Sequence, residues 1–562
     1  MKSINRDAFI PKSVLCLKGY TARKFLCDLI AGITVGLVAL PLAMAFAISS
    51  GLSPQAGIYT AVVAGFLISA LGGSKTQIGG PTGAFVVVVA GIVADHGVDG
   101  LFTCTLVAGV ILAVLGLTGL GSAIKYIPRP VVIGFTNGIA VLIASTQIKD
   151  FFGLRIESVP GDFLGRMHTI SGHLNSLSPL TALVSVVSLL VIILFRRRIP
   201  RVPGSIVVLV LTTACAWIFR WPMETIASRF GGIPSGFPRL ALPVLRPDLI
   251  LPLLSPALTV AMLGASESLL SAVVSDRMSN DRHNPNVELF AQGIANIMSP
   301  LVGGLPATGA IARTATNIRS GAQSPMAGMI HALTLLAVLL VAAPLAGHIP
   351  LAVLAAILMM VSWNMGEWEE IPEILKLSKA DIAVWLITFA LTVFADLTVA
   401  VEVGMILAAL LYIRKVTATS TVSRVTPSYV EAGFAHSLQT NKIPENVAVY
   451  RIHGPFLFGA TDKLALIEEE MDGLPTVVIL RLRNMTAIDS TGLHALEKLS
   501  EKLLHSGRRL IVCGMRDQPA RLMTQAEFHQ HLGDNNIQPS LEAALLRARE
   551  ILSACQQPAS AS

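Results

Sequence analysis

Charge is what this chain has least of. Asp, Glu, Lys and Arg make up 14% of its 562 residues, against about 25% in ordinary soluble domains, and the mean hydropathy is +0.67. That deficit excludes a wholly soluble globular fold. Cysteine is scarce too: Cys16, Cys27, Cys104, Cys215, Cys513 and Cys555 lie far apart, with no CxxC and no His at metal spacing. Neither a disulfide framework nor a zinc site follows, and the thiols read as small buried apolar groups. No metal or cofactor is expected, and with no nucleophile–base pair at usable spacing an enzyme is the least supported class. Residues 1–27 lack the short apolar core and small-residue cleavage site of a secretory leader, and are expected to form a cytosolic N-terminal segment. The net charge of +7 sits in short clusters between apolar runs. Such clusters point to membrane topology and away from nucleic acid.

What is present in quantity is long apolar sequence. Runs near 28–50, 54–71, 81–94, 101–120, 131–151, 180–195, 204–219, 253–276, 287–302, 310–319, 326–347, 351–363, 381–395 and 398–413 approach the roughly 20 residues that cross a bilayer. An even number of spans puts both termini on one side. Arg23 and Lys24, Lys125 and Arg129, Arg196 to Arg198 with Arg201, Arg277 and Arg282, and Arg414 and Lys415 all fall on that side, which is therefore cytoplasmic. A loop on the other side carries Arg229, Arg239 and Arg246, so the asymmetry is a bias. The expected organisation is a transmembrane domain over 28–415, a linker over 416–440 and a soluble α/β domain over 441–556.

Two runs are too short to span alone, and each opens on a Gly- and Pro-interrupted stretch: Gly79-Gly80-Pro81-Thr82-Gly83-Ala84 and Gly304-Leu305-Pro306-Ala307-Thr308-Gly309-Ala310. Both hold Thr-Gly-Ala, with Thr82 and Thr308 226 residues apart, and other span starts repeat at a similar offset. Seven spans per copy make the second copy enter from the opposite face, giving an inverted repeat. Irregular backbone at mid-membrane must line protein or water, so broken half-helices at about 81–94 and 310–319 should border a cavity. Their starts would carry free N–H groups and about half a positive charge each, which suits an anion. Thr82, Gly83 and Ala84 on one side, and Ala310, Ile311 and Ala312 on the other, would face it; the competing reading is small-residue helix packing. Arg313 and Glu267 are costly inside a membrane. Arg313 would attract the anion and Glu267 would take up and release a coupling proton, unless the two form a fixed ion pair.

Asp28-Leu29-Ile30-Ala31-Gly32, Leu40-Pro41-Leu42-Ala43-Met44-Ala45-Phe46 and Gly51-Leu52-Ser53-Pro54-Gln55-Ala56-Gly57 closely resemble the opening signature of the SulP family of anion permeases. The resemblance implies a fourteen-helix, 7+7 inverted-repeat core-and-gate transporter in the bacterial inner membrane, moving sulfate, bicarbonate, dicarboxylates or other small anions. It also implies that Phe46, Thr82, Ala310, Ala312 and Arg313 hold the anion and that Glu267 is the coupling carboxylate. Leu263 to Leu270 and Ile311 to Ala315 look most like the C4-dicarboxylic acid transporter branch. Leu42 stands where many relatives have Gln or Glu, and Ala312 where some have Ser, which shifts anion contact to backbone amides and Arg313. Sodium-coupled relatives tend to carry Asp at the coupling position, so Glu267 favours a proton over sodium.

The tail alternates strand-like Val447–His453, Thr476–Arg481 and Arg509–Cys513 with helical Asp462–Met471, Thr491–His505 and Leu541–Leu552. Its Ala487-Ile488-Asp489-Ser490-Thr491-Gly492 resembles the loop of STAS domains. Ser490 or Thr491 would then be phosphorylated at a helix start, or Asp489 or Ser490 merely caps it. The resemblance further implies a homodimer and a cytosolic partner for this domain. Sulfate or bicarbonate transport with sodium coupling, an uncoupled anion channel and an anion sensor remain the alternatives.

Overall fold

The structure, a computed structural model, describes residues 9–119, 128–156, 159–199, 203–232, 236–237, 240, 246–395, 397–425 and 443–556. Lys125, Arg201 and Arg239 of the topology argument lie outside them. The chain divides into two compact units, Met1–Ile406 and Leu407–Ser562.

The first unit is helical: α1 (Ala22–Ser49), α2 (Pro54–Leu71), α3 (Gly83–Thr118), α4 (Arg129–Phe152), α5 (Phe163–Gly172), α6 (Pro179–Arg198), α7 (Gly204–Phe219), α8 (Leu254–Ser279), α9 (Pro285–Met298), α10 (Ile311–Arg319), α11 (Met326–Ala346), α12 (Leu351–Met365), α13 (Lys379–Phe394) and the first part of α14 (Leu397–Thr419), whose residues from Leu407 on belong to the second unit. Among the described residues eight helices are long and apolar enough to cross a membrane. Several start on proline in the first turn, as at Pro54, Pro179 and Pro285, where the missing N–H costs nothing. α1 begins at Ala22, with Thr21 as its cap, six residues earlier than expected. The runs expected at 81–94 and 101–120 are the two arms of α3, which part at Gly97, where φ 70° and ψ −175° are not helical. The short α5 had no expected counterpart; its Asp162 cap accepts from Gly165 N–H.

Small residues let these helices approach closely. A Cβ on Gly57 of α2 would lie 1.9 Å from the Ala43 carbonyl oxygen of α1, and one on Gly293 of α9 would lie 2.4 Å from the Ala113 nitrogen of α3. Two short strands, β1 (Gly79–Gly80) and β2 (Thr308–Gly309), pair antiparallel with Gly79 opposite Gly309 and Gly80 opposite Thr308. They are the unwound leads of α3 and α10, the two broken segments of the inverted repeat, brought together at one crossing.

The second unit holds a five-stranded sheet in the order β3 (Thr421–Arg424), β4 (Val447–Phe456), β5 (Val477–Ile488), β6 (Arg509–Cys513), β7 (Ile537–Gln538), with β3 antiparallel and the rest parallel. α15 (Ser490–His505) packs Leu493, Leu496, Leu499 and Leu503 with one sheet face. α17 (Leu541–Gln556) packs Leu541, Ala544, Leu545 and Ala548 with the other, and α16 (Asp517–Gln525) follows β6. Residues 416–440, expected as a linker, in fact continue α14 to Thr419 and supply β3 to the sheet; 426–440 lie outside the described residues. The expected helix over 462–471 is a 3-10 turn followed by a short α-helix, Ala465–Glu469.

Candidate functional site

The clasp between β1 and β2 is built almost entirely from buried polar groups. Ala310 N–H donates to the Ile78 carbonyl at 2.8 Å, Ile78 N–H to Thr314 Oγ1 at 3.1 Å, and Asn317 Nδ2 to the Thr76 carbonyl at 2.8 Å. α8 buttresses it through Ser268, whose hydroxyl lies 2.6 Å from that of Thr308, through Ser271, 3.0 Å from Thr314, and through Ser275, 2.7 Å from Thr76. Behind, Asn296 of α9 both donates to the Ala307 carbonyl and accepts from Ala307 N–H at 2.8 Å, and Glu288 accepts from Gly73 and Ser74 N–H. Unwound backbone survives away from water only when its groups are satisfied in this way. None of these supporting residues was singled out from the sequence. The signal that could have found them is the polar stripe Ser268, Ser271, Ser275 at helical spacing on an otherwise apolar span.

From this crossing α3 and α10 start into one cavity of about 310 Å³, lined among others by Phe46, Thr82, Glu267, Arg313 and, from α4 and α12, Phe135 and Met365. Gly83, Ala84, Ala310, Ile311 and Ala312 also border it. Neither Thr82 nor Ala310, the two N-cap residues, bonds its own helix through a side chain. The first-turn N–H groups of a helix have no intrahelical acceptor, so both ends offer donors and positive dipole to the cavity. Phe135 and Met365 were not foreseen, because nothing in an apolar helix reports which face meets a cavity.

The two charged residues come to the same cavity without pairing. Glu267 Oε2 accepts from Thr82 Oγ1 at 2.8 Å, while Arg313 Nη2 donates to the Pro81 carbonyl; among the described residues they form no ion pair. The fixed Glu267–Arg313 pair is therefore not the arrangement seen: each is tied instead to the lead of α3. Arg313 is 3% exposed, and its Nη1 has no hydrogen-bond partner among the described residues. Gly80, at φ +146°, makes room for it, since a Cβ there would sit 2.7 Å from Nη1. A buried guanidinium nitrogen without an acceptor is costly, and Nη1 lies against the Gly80 backbone rather than on the open cavity surface.

In the second unit Asp489 caps α15: Oδ1 accepts from Gly492 N–H at 2.8 Å and Oδ2 from Phe458 N–H at 3.0 Å. Ser490 and Thr491 are exposed in the first turn.

Comparison with known proteins matches residues 25–388 to the Sulfate permease family and 439–544 to the STAS domain. The putative sulfate transporter YvdB of Bacillus subtilis is 41% identical over 92% of this chain and 96% of its own length. The bicarbonate transporter BicA of Picosynechococcus sp. is 29% identical over 93% and 94%. Among solved structures, the transmembrane domain of a cyanobacterial BicA superposes with a TM-score of 0.60 at 34% identity, covering 69% of this chain and 98% of its own. The murine solute carrier 26 family member A9 anion transporter, inward-facing, reaches 0.85 at 18% identity over 97% and 94%, a likeness of fold. The chain is a multi-pass membrane anion transporter of the sulfate permease family with a C-terminal STAS domain.

Proposed function

We propose that this chain is a secondary active transporter of small divalent oxyanions, sulfate or a C4-dicarboxylate, coupled to protons through Glu267. The observation that carries the reading is the pair of uncapped helix starts meeting beside Arg313 in one cavity. Thr82, Gly83 and Ala84, with Ala310, Ile311 and Ala312, supply backbone donors; Phe46 walls the site, and Arg313 supplies the full charge.

Charge matching supports the coupling. Two helix ends at about +0.5 each and one guanidinium give roughly +2, which each ionised carboxylate on the cavity wall, Glu267 and Glu367, lowers by one. Protonating Glu267 raises the charge of the site by one and so favours an anion with one more negative charge. Relatives whose names carry sulfate and bicarbonate stand on the two sides of that balance. The dicarboxylate rests on the resemblance of the Glu267 and Arg313 strings alone.

We place the protein in the bacterial inner membrane, both termini cytoplasmic, as a homodimer whose STAS domain meets a further cytosolic partner. The exposed Ser490 or Thr491 is the modification point, where phosphate would meet the α15 dipole.

The test is uptake of labelled sulfate, succinate and bicarbonate into proteoliposomes, with and without an inward proton gradient, for the native chain and Glu267→Gln. Gradient-stimulated uptake of a dianion, with the stimulation lost in the variant, is expected. Bicarbonate uptake alone, indifferent to the gradient and to Glu267, overturns both the substrate class and the coupling.

A further inference from the structure

The sheet face beneath α17 changes character along its strands. It carries Val447 and Val449 on β4, Val477 and Ile479 on β5, and Ile511 on β6, all packed with Leu541, Ala544, Leu545 and Ala548. One step further on, Arg451, Arg481 and Cys513 stand opposite one another across the three strands. Alternation puts them on that same face. The apolar cover thus ends where the arginines begin. The register of β4 and β5 shifts just after Arg481, and Arg483 joins the rim of the cavity that opens there.

That cavity, of about 250 Å³, is lined by Arg481, Arg483, Arg516, Cys513, Ser540 and Glu542 among others. Three guanidiniums face one carboxylate. Burial, and behind it the charges of Arg483 and Arg451, hold the Arg481 guanidinium below its ordinary range; gathered cations of this kind are stabilised by a bound anion. The N-terminus of the 16-residue α17 opens on the same space. Ser540 caps it, accepting from Ala543 N–H at 3.2 Å, and the dipole adds to the positive field. Arginine forks suit oxyanions in particular, because they donate two parallel hydrogen bonds.

We propose that this cavity is a binding site for a tetrahedral oxyanion, either free sulfate or phosphate or the terminal phosphate of a larger ligand. Its volume lies below the roughly 300–1,000 Å³ of pockets that enclose whole drug-sized ligands, so the anionic group is enclosed and any remainder stays outside. The site uses none of the residues of the transmembrane cavity, and it stands on the opposite sheet face from α15 with Ser490 and Thr491.

The experiment is hydrogen–deuterium exchange on the purified full chain, reading peptides over 509–516 and 540–548. The probes are sodium sulfate, inorganic phosphate and ATP, each against sodium chloride at equal ionic strength. At tenfold excess over Kd, protection of a ligand-closed opening reaches about tenfold, so slowing of that order is expected in both peptides. Slowing by sulfate or phosphate assigns a free oxyanion, and slowing by ATP alone assigns the phosphate of a larger ligand. The double variant Arg483→Gln, Arg516→Gln, at two exposed positions, should abolish it while exchange over 477–482 stays native. Equal slowing in chloride, no slowing with any probe, or slowing that survives in the variant overturns the site.

Discussion

At the scale of single residues, the candidate site depends on how each costly group is held. Thr82 joins the first turn of α3 to Glu267 by one hydroxyl. Thr82→Val should therefore remove most of the gradient-stimulated part of uptake, with Thr82→Ser restoring it. The thermal stability of Thr82→Val should fall by no more than about 1–2 kcal/mol, the worth of one such bond, as read by a detergent thermal shift. Asp28 is a second case, away from the cavity. It accepts from Gln323 N–H, Ser324 N–H and Tyr20 Oη, so Asp28→Ala strands several buried donors and should cost about 3 kcal/mol or more. In the STAS domain, burial pushes the Cys513 thiol from its ordinary 9.0 up to about 11, against the pull of Arg481. A raised pKa contributes stability that is whole below pH 9.0 and lost as pH rises through about 11. Maleimide labelling of Cys513 at pH 8 should be negligible in the folded protein and rapid in urea, with mass spectrometry as the readout.

At the scale of elements, the sharpest dependence is on the unwound leads. Gly80→Ala forces a side chain onto φ +146° and within 2.7 Å of Arg313 Nη1, so uptake should fall to background while the expressed protein still reaches the membrane. Ala84→Gly, deeper in the same turn, should keep most of the activity. The leads were legible in the sequence because Gly79-Gly80-Pro81 and Gly304-Leu305-Pro306 interrupt apolar runs, and a break in a membrane span has few physical uses. Their pairing was not legible: two residues of strand carry no period, and only the fold shows Gly79 against Gly309. The apolar runs likewise located the helices, including the two arms of α3 on either side of the non-helical Gly97, though Asp95 and His96 look like a loop and are helical. β3 was missed for the opposite reason, since four residues beside a polar stretch read as linker until β4 pairs with them. The Glu267–Arg313 alternatives could not be separated from spacing, as the deciding partners, Thr82 and the Pro81 carbonyl, come from another repeat.

At the scale of the whole molecule, two units keep separate cores. Leu496 of α15 is fully buried in the STAS domain, and Leu496→Ala should cost about 2–5 kcal/mol. Calorimetry of the full chain should show that loss in the transition of the soluble unit, with the transmembrane transition unmoved. Within the transmembrane unit, the strand pair, the Ala310–Ile78 bond and the Arg313–Pro81 bond join the starts of α3 and α10. Prising those ends apart would leave buried donors and acceptors orphaned together, whereas no hydrogen bond among those described ties the Phe135 and Met365 side chains of the facing walls to the clasp. On the proposed function, the seam along which this protein parts runs beside the anion, and the cargo travels as a passenger with the clasp around it.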